Sequence, residues 1–139
     1  MMAHEVIFEA KHIETNGHHV DDVDHLWVGA ALTVSYTVEN SGDDPVPDHY
    51  DFLSVTDNAL TVEYEDWAPR DAFTLSATHS FSVPIALAAG IHWVFVTVDG
   101  SGTARVAARL VVVANDEAER QRLLRELRGG QPAEATPAE

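Results

Sequence analysis

FTLSATHSFSV, residues 73–83, decides the fold. Phe73, Leu75, Ala77, His79, Phe81 and Val83 alternate with Thr74, Ser76, Thr78, Ser80 and Ser82. Successive side chains of a strand point to opposite faces, so this run sets an oily face on a core and a hydroxyl face in water, the pattern of a half-buried antiparallel strand. Outward from it the alternation recurs. Val6 to Ile13 reads as a first strand and Leu32 to Glu39 as a second, with Leu32, Val34, Tyr36 and Val38 opposed to Thr33, Ser35, Thr37 and Glu39. His49 to Val55 and Leu60 to Glu65 form a hairpin around Thr56-Asp57-Asn58-Ala59, and Ile91 to Val98 pairs with Thr103 to Val113 across the glycine-rich DGSG, residues 99–102. Between these runs NGHHVDDVDH (residues 16–25) reads as a polar loop, and NSGDDPVPD and WAPRD as crossovers. Short strands with two long crossovers predict an all-β, immunoglobulin-like antiparallel Greek-key β-sandwich of about seven strands over residues 1–114.

The pattern turns helical after Ala114. Asp116 and Glu119 have capping-box spacing, the interior is Ala, Glu, Arg, Gln and Leu, and Gly129-Gly130 supplies a stop, so one C-terminal α-helix is expected over 115–128. The Pro, Ala and Glu tail at 129–139 has nothing to bury and reads as disordered. Leu123, Leu124 and Leu127 share one side of the helix. Burying them is worth on the order of 4 to 8 kcal/mol before entropy, so this short helix needs a surface to lie on.

The 139 residues carry 23 Asp plus Glu against 8 Lys plus Arg, a formal net charge of −15. A phosphate backbone would be repelled, so no nucleic-acid partner is expected. There is no cysteine, which excludes disulfides, thiol catalysis and cysteine-ligated zinc. The opening MMAHEVIFEAKH has no basic start or apolar stretch of export length, and no run approaches the ~20 apolar residues of a membrane span, so a cytoplasmic chain without membrane insertion is expected.

LTVSYTVENSGDDPVP, with Thr37-Val38-Glu39-Asn40-Ser41-Gly42, and AAGIHWVFVTVDGSG, with Gly90-Ile91-His92-Trp93 through Asp99, resemble the second and penultimate strands of CARDB domains. These cell-adhesion-related domains of bacterial proteins are similar to immunoglobulin and fibronectin type III sandwiches. The resemblance spans about residues 6–113, and GSGTARVAAR (100–109) departs from the acidic, asparagine-rich segment such domains often carry there. It implies a non-enzymatic binding or spacer module.

The residues point to three kinds of binding surface. The last two strands are apolar on both faces: Ile91, Trp93 and Phe95 against Val94, Val96 and Val98, then Val106, Leu110 and Val112 against Val111 and Val113. One of those faces must find cover beyond the core, which makes Trp93, Val94, Phe95, Val96, Val98, Val111 and Val113 with Leu123, Leu124 and Leu127 a candidate interface to a protein partner or a second copy. The helix, following its strand without a loop, is expected to pack on a neighbour rather than on its own sheet.

Divalent-cation binding is the alternative. His18, His19 and His25 suit zinc and Asp21, Asp22 and Asp24 suit calcium, although nothing in the spacing forces convergence, and Asp43, Asp44, Asp48 and Asp51 beside His49 form a second acidic cluster. A carbohydrate platform built on Trp27, Trp67 or Trp93 ranks lower. His79 reads as a core histidine bonded to backbone. No nucleophile elbow, phosphate loop or matched nucleophile and base is present, so neither catalysis nor an organic cofactor is expected.

Overall fold

The computed structural model describes residues 8–20, 23–40, 42, 44–99 and 105–129. Two sheets face each other. The smaller has β1 (Phe8–Thr15) and β7 (Ser76–Val83) on either side of β4 (Leu32–Asn40), all antiparallel. The larger has the order β2 (His18–Val20), β3 (Val23–Trp27), β9 (Arg105–Ala114), β8 (Gly90–Asp99), β5 (His49–Asp57), β6 (Val62–Arg70), and α1 (Glu117–Gly129) follows β9.

Among the described residues nine strands replace the expected seven, and the larger sheet is mixed. The segment read as a polar loop is the β2–β3 hairpin, with His18 opposite His25 and His19 opposite Asp24. β3 then runs parallel to β9, Val23 opposite Leu110 and Trp27 opposite Ala114. Gly17 allows the tight entry into this hairpin, because a Cβ there would come 2.6 Å from the His25 carbonyl oxygen. The WAPRD crossover is also corrected: Trp67, Ala68, Pro69 and Arg70 complete β6, where an edge position spares Pro69 the missing ladder donor. β7 begins at Ser76, leaving Leu75 exposed and Phe73 in an isolated bridge to Val46. Residues 100–104, which hold most of the expected 99–102 turn and the expected start of the last strand, and residues 130–139 lie outside the described residues, while the β8–β9 ladder is continuous from Gly90↔Val113 to Val98↔Arg105.

The core lies between the sheets. Val34, Tyr36 and Val38 from β4 and Phe81 and Val83 from β7 meet Leu53, Val55, Val94, Val96, Val98, Val111 and Val113 from the larger sheet. The ambiguity of the doubly apolar strands is thereby resolved: the even-numbered valines of β8 and the odd-numbered ones of β9 turn inward. A second, smaller core forms on the outer face, where Ile91, Val112 and Ala114 are covered by Leu123, with Leu124 and Leu127 beside it. α1 thus folds back on its own sheet, against the expectation of a neighbour. Asn115 and Asp116 suffice for the reversal because they also cap the helix: the Glu119 amide donates to Asp116 Oδ1 at 2.8 Å, and Glu119 Oε1 accepts from the Asn115 amide at 2.7 Å.

Candidate functional site

β5 reverses the usual sorting of polar and apolar residues. Leu53 and Val55 are locked into the core, and strand alternation therefore carries His49 and Asp51 inward and Tyr50 and Phe52 outward. The outward pair meets the outward residues of its neighbours: Phe52 stands opposite Trp67 on β6 and Thr97 on β8, and Ser54 opposite Glu65 and Phe95. Tyr50 meets Trp67 edge to face at 5.3 Å between ring centroids, and Trp93 stacks on Phe95 at 6.0 Å. Tyr50, Phe52 and Trp67 are 48%, 40% and 59% exposed, and Val106 on β9 extends the strip. An aromatic face thus crosses three strands beside the helix, with Val106 carrying it onto a fourth. Aromatic rings presented this way supply large, rigid contact area to an incoming surface.

Of the ten residues read as an interface, this face contains Trp93 and Phe95. Val94, Val96, Val98, Val111 and Val113 fill the inter-sheet core, and Leu123, Leu124 and Leu127 belong to the helix contact. Tyr50 and Phe52 were missed. Their signal was the sequence HYDFLSV (residues 49–55), in which the aromatic parity is opposite to that of Leu53 and Val55.

The inward residues of β5 meet a second polar group. Tyr36 donates its hydroxyl to Asp51 Oδ2, Arg70 Nε donates to the same oxygen at 3.3 Å, and Arg70 Nη2 reaches the Tyr36 hydroxyl at 3.3 Å. His49 Nδ1 lies 2.9 Å from the Pro47 carbonyl, and its Nε2 lies 3.3 Å from Asp51 Oδ1. Burial and the Asp51 carboxylate push the Tyr36 phenol well above its ordinary range. Asp51 is fully buried and Tyr36 nearly so. Buried groups bonded to one another across the two sheets, with Arg70 closing them from the edge strand, have the geometry of an internal tie. His79 is half-buried with its ring 6.0 Å from Tyr36, and its Nε2 has no hydrogen-bond partner among the described residues, so the expected backbone bond is absent. Burial, with the nearby Arg70 charge, lowers its pKa.

The histidine and aspartate cluster of residues 18–25 is divided by its own hairpin. Directly opposed residues share a face. His19 and Asp24 therefore project to one side and His18 and His25 to the other, the last two rings 6.4 Å apart. Asp24 is fully buried and its oxygens are occupied: Thr15 donates from its amide (2.9 Å) and hydroxyl (2.8 Å), Arg109 from Nε (2.9 Å) and Nη2 (2.6 Å), and His19 Nδ1 stands at 2.6 Å. Burial alone would raise the Asp24 pKa, but the bonds from Arg109, His19 and Thr15 prevail and hold it below the ordinary range. Asp21 and Asp22 lie outside the described residues. Among the described residues no three His, Asp or Glu side chains converge as metal ligands. In the second acidic cluster Asp48 accepts from the Ala72 amide at 2.9 Å, Asp51 is committed to Tyr36 and Arg70, and Asp44 gives its carbonyl to Asn40, while Asp43 lies outside the described residues. Trp27 lies away from the aromatic face, under Arg120, whose guanidinium stands 5.3 Å from the ring centroid.

Solved structures place this sandwich among known ones. The crystal structure of a CARDB domain from Pyrococcus furiosus, solved in complex with di-metal ions, superposes with a TM-score of 0.54 at 18% identity, covering 81% of this chain and 96% of that one. The fold is that of a CARDB domain. A solution structure of the Pyrococcus furiosus domain agrees, with a TM-score of 0.55, 18% identity and coverage of 84% and 100%. No protein-family model and no curated protein matches the chain. The CARDB-like architecture bears out the likeness read from the Thr37–Gly42 and Gly90–Asp99 motifs. Among the described residues no helix is long and apolar enough to cross a membrane.

Proposed function

We propose that the chain is a non-catalytic docking module that holds a protein partner against the aromatic face of its larger sheet. The observation that carries this reading is the exposed cluster of Tyr50, Phe52 and Trp67, continuous with Trp93 and Phe95. Clustered aromatic rings form the energetic centre of protein interfaces. Charge selects the partner. Two copies would bring formal charges of −15 together, and Glu65 lies within the face, so a partner with apolar anchors ringed by basic side chains fits better than a second copy.

A photo-reactive residue replacing Tyr50, expressed in the native cell, should cross-link to a discrete protein with basic side chains. Trp67→Ala and Glu65→Lys should each weaken that cross-link while leaving the melting temperature unchanged. A concentration-dependent dimer that Trp67→Ala dissolves would put a second copy in the partner's place. Tryptophan fluorescence that responds only to oligosaccharides would replace the docking role with a sugar platform, and a monomer giving no cross-link would overturn it.

A divalent cation is the second reading, supported by the similar domain solved with di-metal ions. The described hairpin residues do not fit it as they stand, since Asp24 is occupied by Arg109 and Thr15 and turned away from His18 and His25. Titration calorimetry with zinc and calcium decides the matter. Saturable heat lost in His18→Ala or Asp22→Ala supports the cation, and its absence removes it.

A further inference from the structure

The underside of α1 does not seal completely against the sheet. A cavity of about 250 Å³ remains between them, walled by Val20, Val23 and Leu110 from the strands and by Leu124 and Leu127 from the helix, with Arg128 completing its lining. One polar side chain of the sheet enters this apolar space. His25 is 6% exposed, and neither of its ring nitrogens has a hydrogen-bond partner among the described residues. Buried polar groups are almost always paired, and a side chain with both ring nitrogens unpaired in a cavity points to something that pairs them. The space is ample, since an apolar cavity of about 150 Å³ already admits benzene.

The chemistry of the wall narrows the ligand. Burial favours the uncharged imidazole, and both of its nitrogens are unpaired among the described residues, so the ring offers one N–H donor and one bare acceptor nitrogen. A hydroxyl can serve one of them, donating its hydrogen to the bare nitrogen or accepting from the N–H, since the two nitrogens diverge too far for one hydroxyl to bridge both. An ionised ligand would have to surrender its hydration to walls of valine and leucine, and Arg128, the charged side chain of the lining, is exposed and so already solvated.

We propose that the cavity between α1 and the β2–β3–β9 surface is a binding site for a small, uncharged, apolar molecule carrying one hydroxyl, such as a phenol, anchored by His25. The ring of such a ligand fills the space between Leu124, Leu127, Val23 and Leu110, and its hydroxyl bonds to the imidazole. The site is separate from the aromatic face: His25 and α1 lie over β3 and β9, whereas Tyr50, Phe52 and Trp67 lie on β5 and β6.

Nitrogen NMR of the histidine rings of the full chain, titrated with p-cresol, tests the proposal. The expected result is a saturable shift of the His25 ring nitrogens. His25→Phe should weaken binding about five- to tenfold, followed by the ligand's own resonances, as one hydrogen bond is lost while the apolar walls remain. Leu124→Trp, which fills the cavity, should abolish binding, with Leu127→Phe as the second variant should the first shift the melting temperature. Toluene, which has the ring without the hydroxyl, should bind more weakly than p-cresol to the natural chain and equally to His25→Phe. An unchanged His25 signal at saturating p-cresol, or a shift that persists in both cavity-filling variants, would overturn the proposal and leave water as the partner of His25.

Discussion

Replacing Asp24 by alanine tests the account of how the two sheets are tied. Asp24 on β3 bonds to Thr15 on β1 in the opposite sheet and to Arg109 on β9 beside it, so one carboxylate holds three strands. In Asp24→Ala the Thr15 amide and hydroxyl lose their acceptor, and Arg109, with a side chain 17% exposed, loses the carboxylate it faces. Removing one member of a buried ion pair costs about 3–5 kcal/mol, and the partial access of Arg109 to water places the expectation at the lower end, about 3 kcal/mol. That is a large part of the 5–15 kcal/mol that typically stabilises a domain. Asp24→Asn keeps the shape and should cost less, about 1.5–3 kcal/mol, through the loss of charge-assisted bonds.

The two variants also differ from the natural chain in pH dependence. The folded pKa of Asp24 is depressed, so its contribution is fully present above the unfolded value of about 3.9 and is lost as pH falls through the folded pKa. Urea denaturation across the acid range should therefore show the gap between natural chain and Asp24→Asn closing below about pH 4. An Asp24→Ala cost below about 1 kcal/mol, or a gap that stays constant through the acid limb, would refute the role of Asp24 as the tie between these strands.

Leu123→Ala should destabilise by about 2–5 kcal/mol in thermal or urea unfolding, since Leu123 is buried against Ile91 and Val112. Deletion of residues 115–139 should leave a less stable monomer whose bared Ile91 and Val112 bind a hydrophobic dye, and an equally stable truncation would contradict the intramolecular packing. Gly17→Ala should cost about 1–3 kcal/mol, because its Cβ would collide with the His25 carbonyl rather than with a flexible side chain. By contrast Trp67→Ala, at an exposed position, should stay within about 0.5 kcal/mol of the natural stability in the same assay.

The strand around Phe81, the Leu32–Asn40 strand and the Asp116–Glu119 cap are written locally: period-two alternation and capping spacing depend on neighbours a few residues apart, and each appears close to where the residues place it, although the first begins at Ser76 rather than Phe73. The sorting of faces is not local. Ile91 to Val98 is apolar on both sides, and only the packing of β4 and β7 on one face and α1 on the other decides that Val94, Val96 and Val98 enter the core while Trp93 and Phe95 remain on the outer sheet. The residues 16–25 look like solvated loop because their cost of burial is met from far away: Arg109, 85 positions on, neutralises Asp24 and makes β3 a sheet strand. Thus residue order alone determined a sandwich of alternating strands with a capped helix. The tertiary structure decided that β3 pairs with β9, that the helix closes on its own sheet over His25, and that aromatic rings face outward from β5. Long-range pairing and desolvation set those outcomes, and neither is encoded in the spacing of adjacent residues.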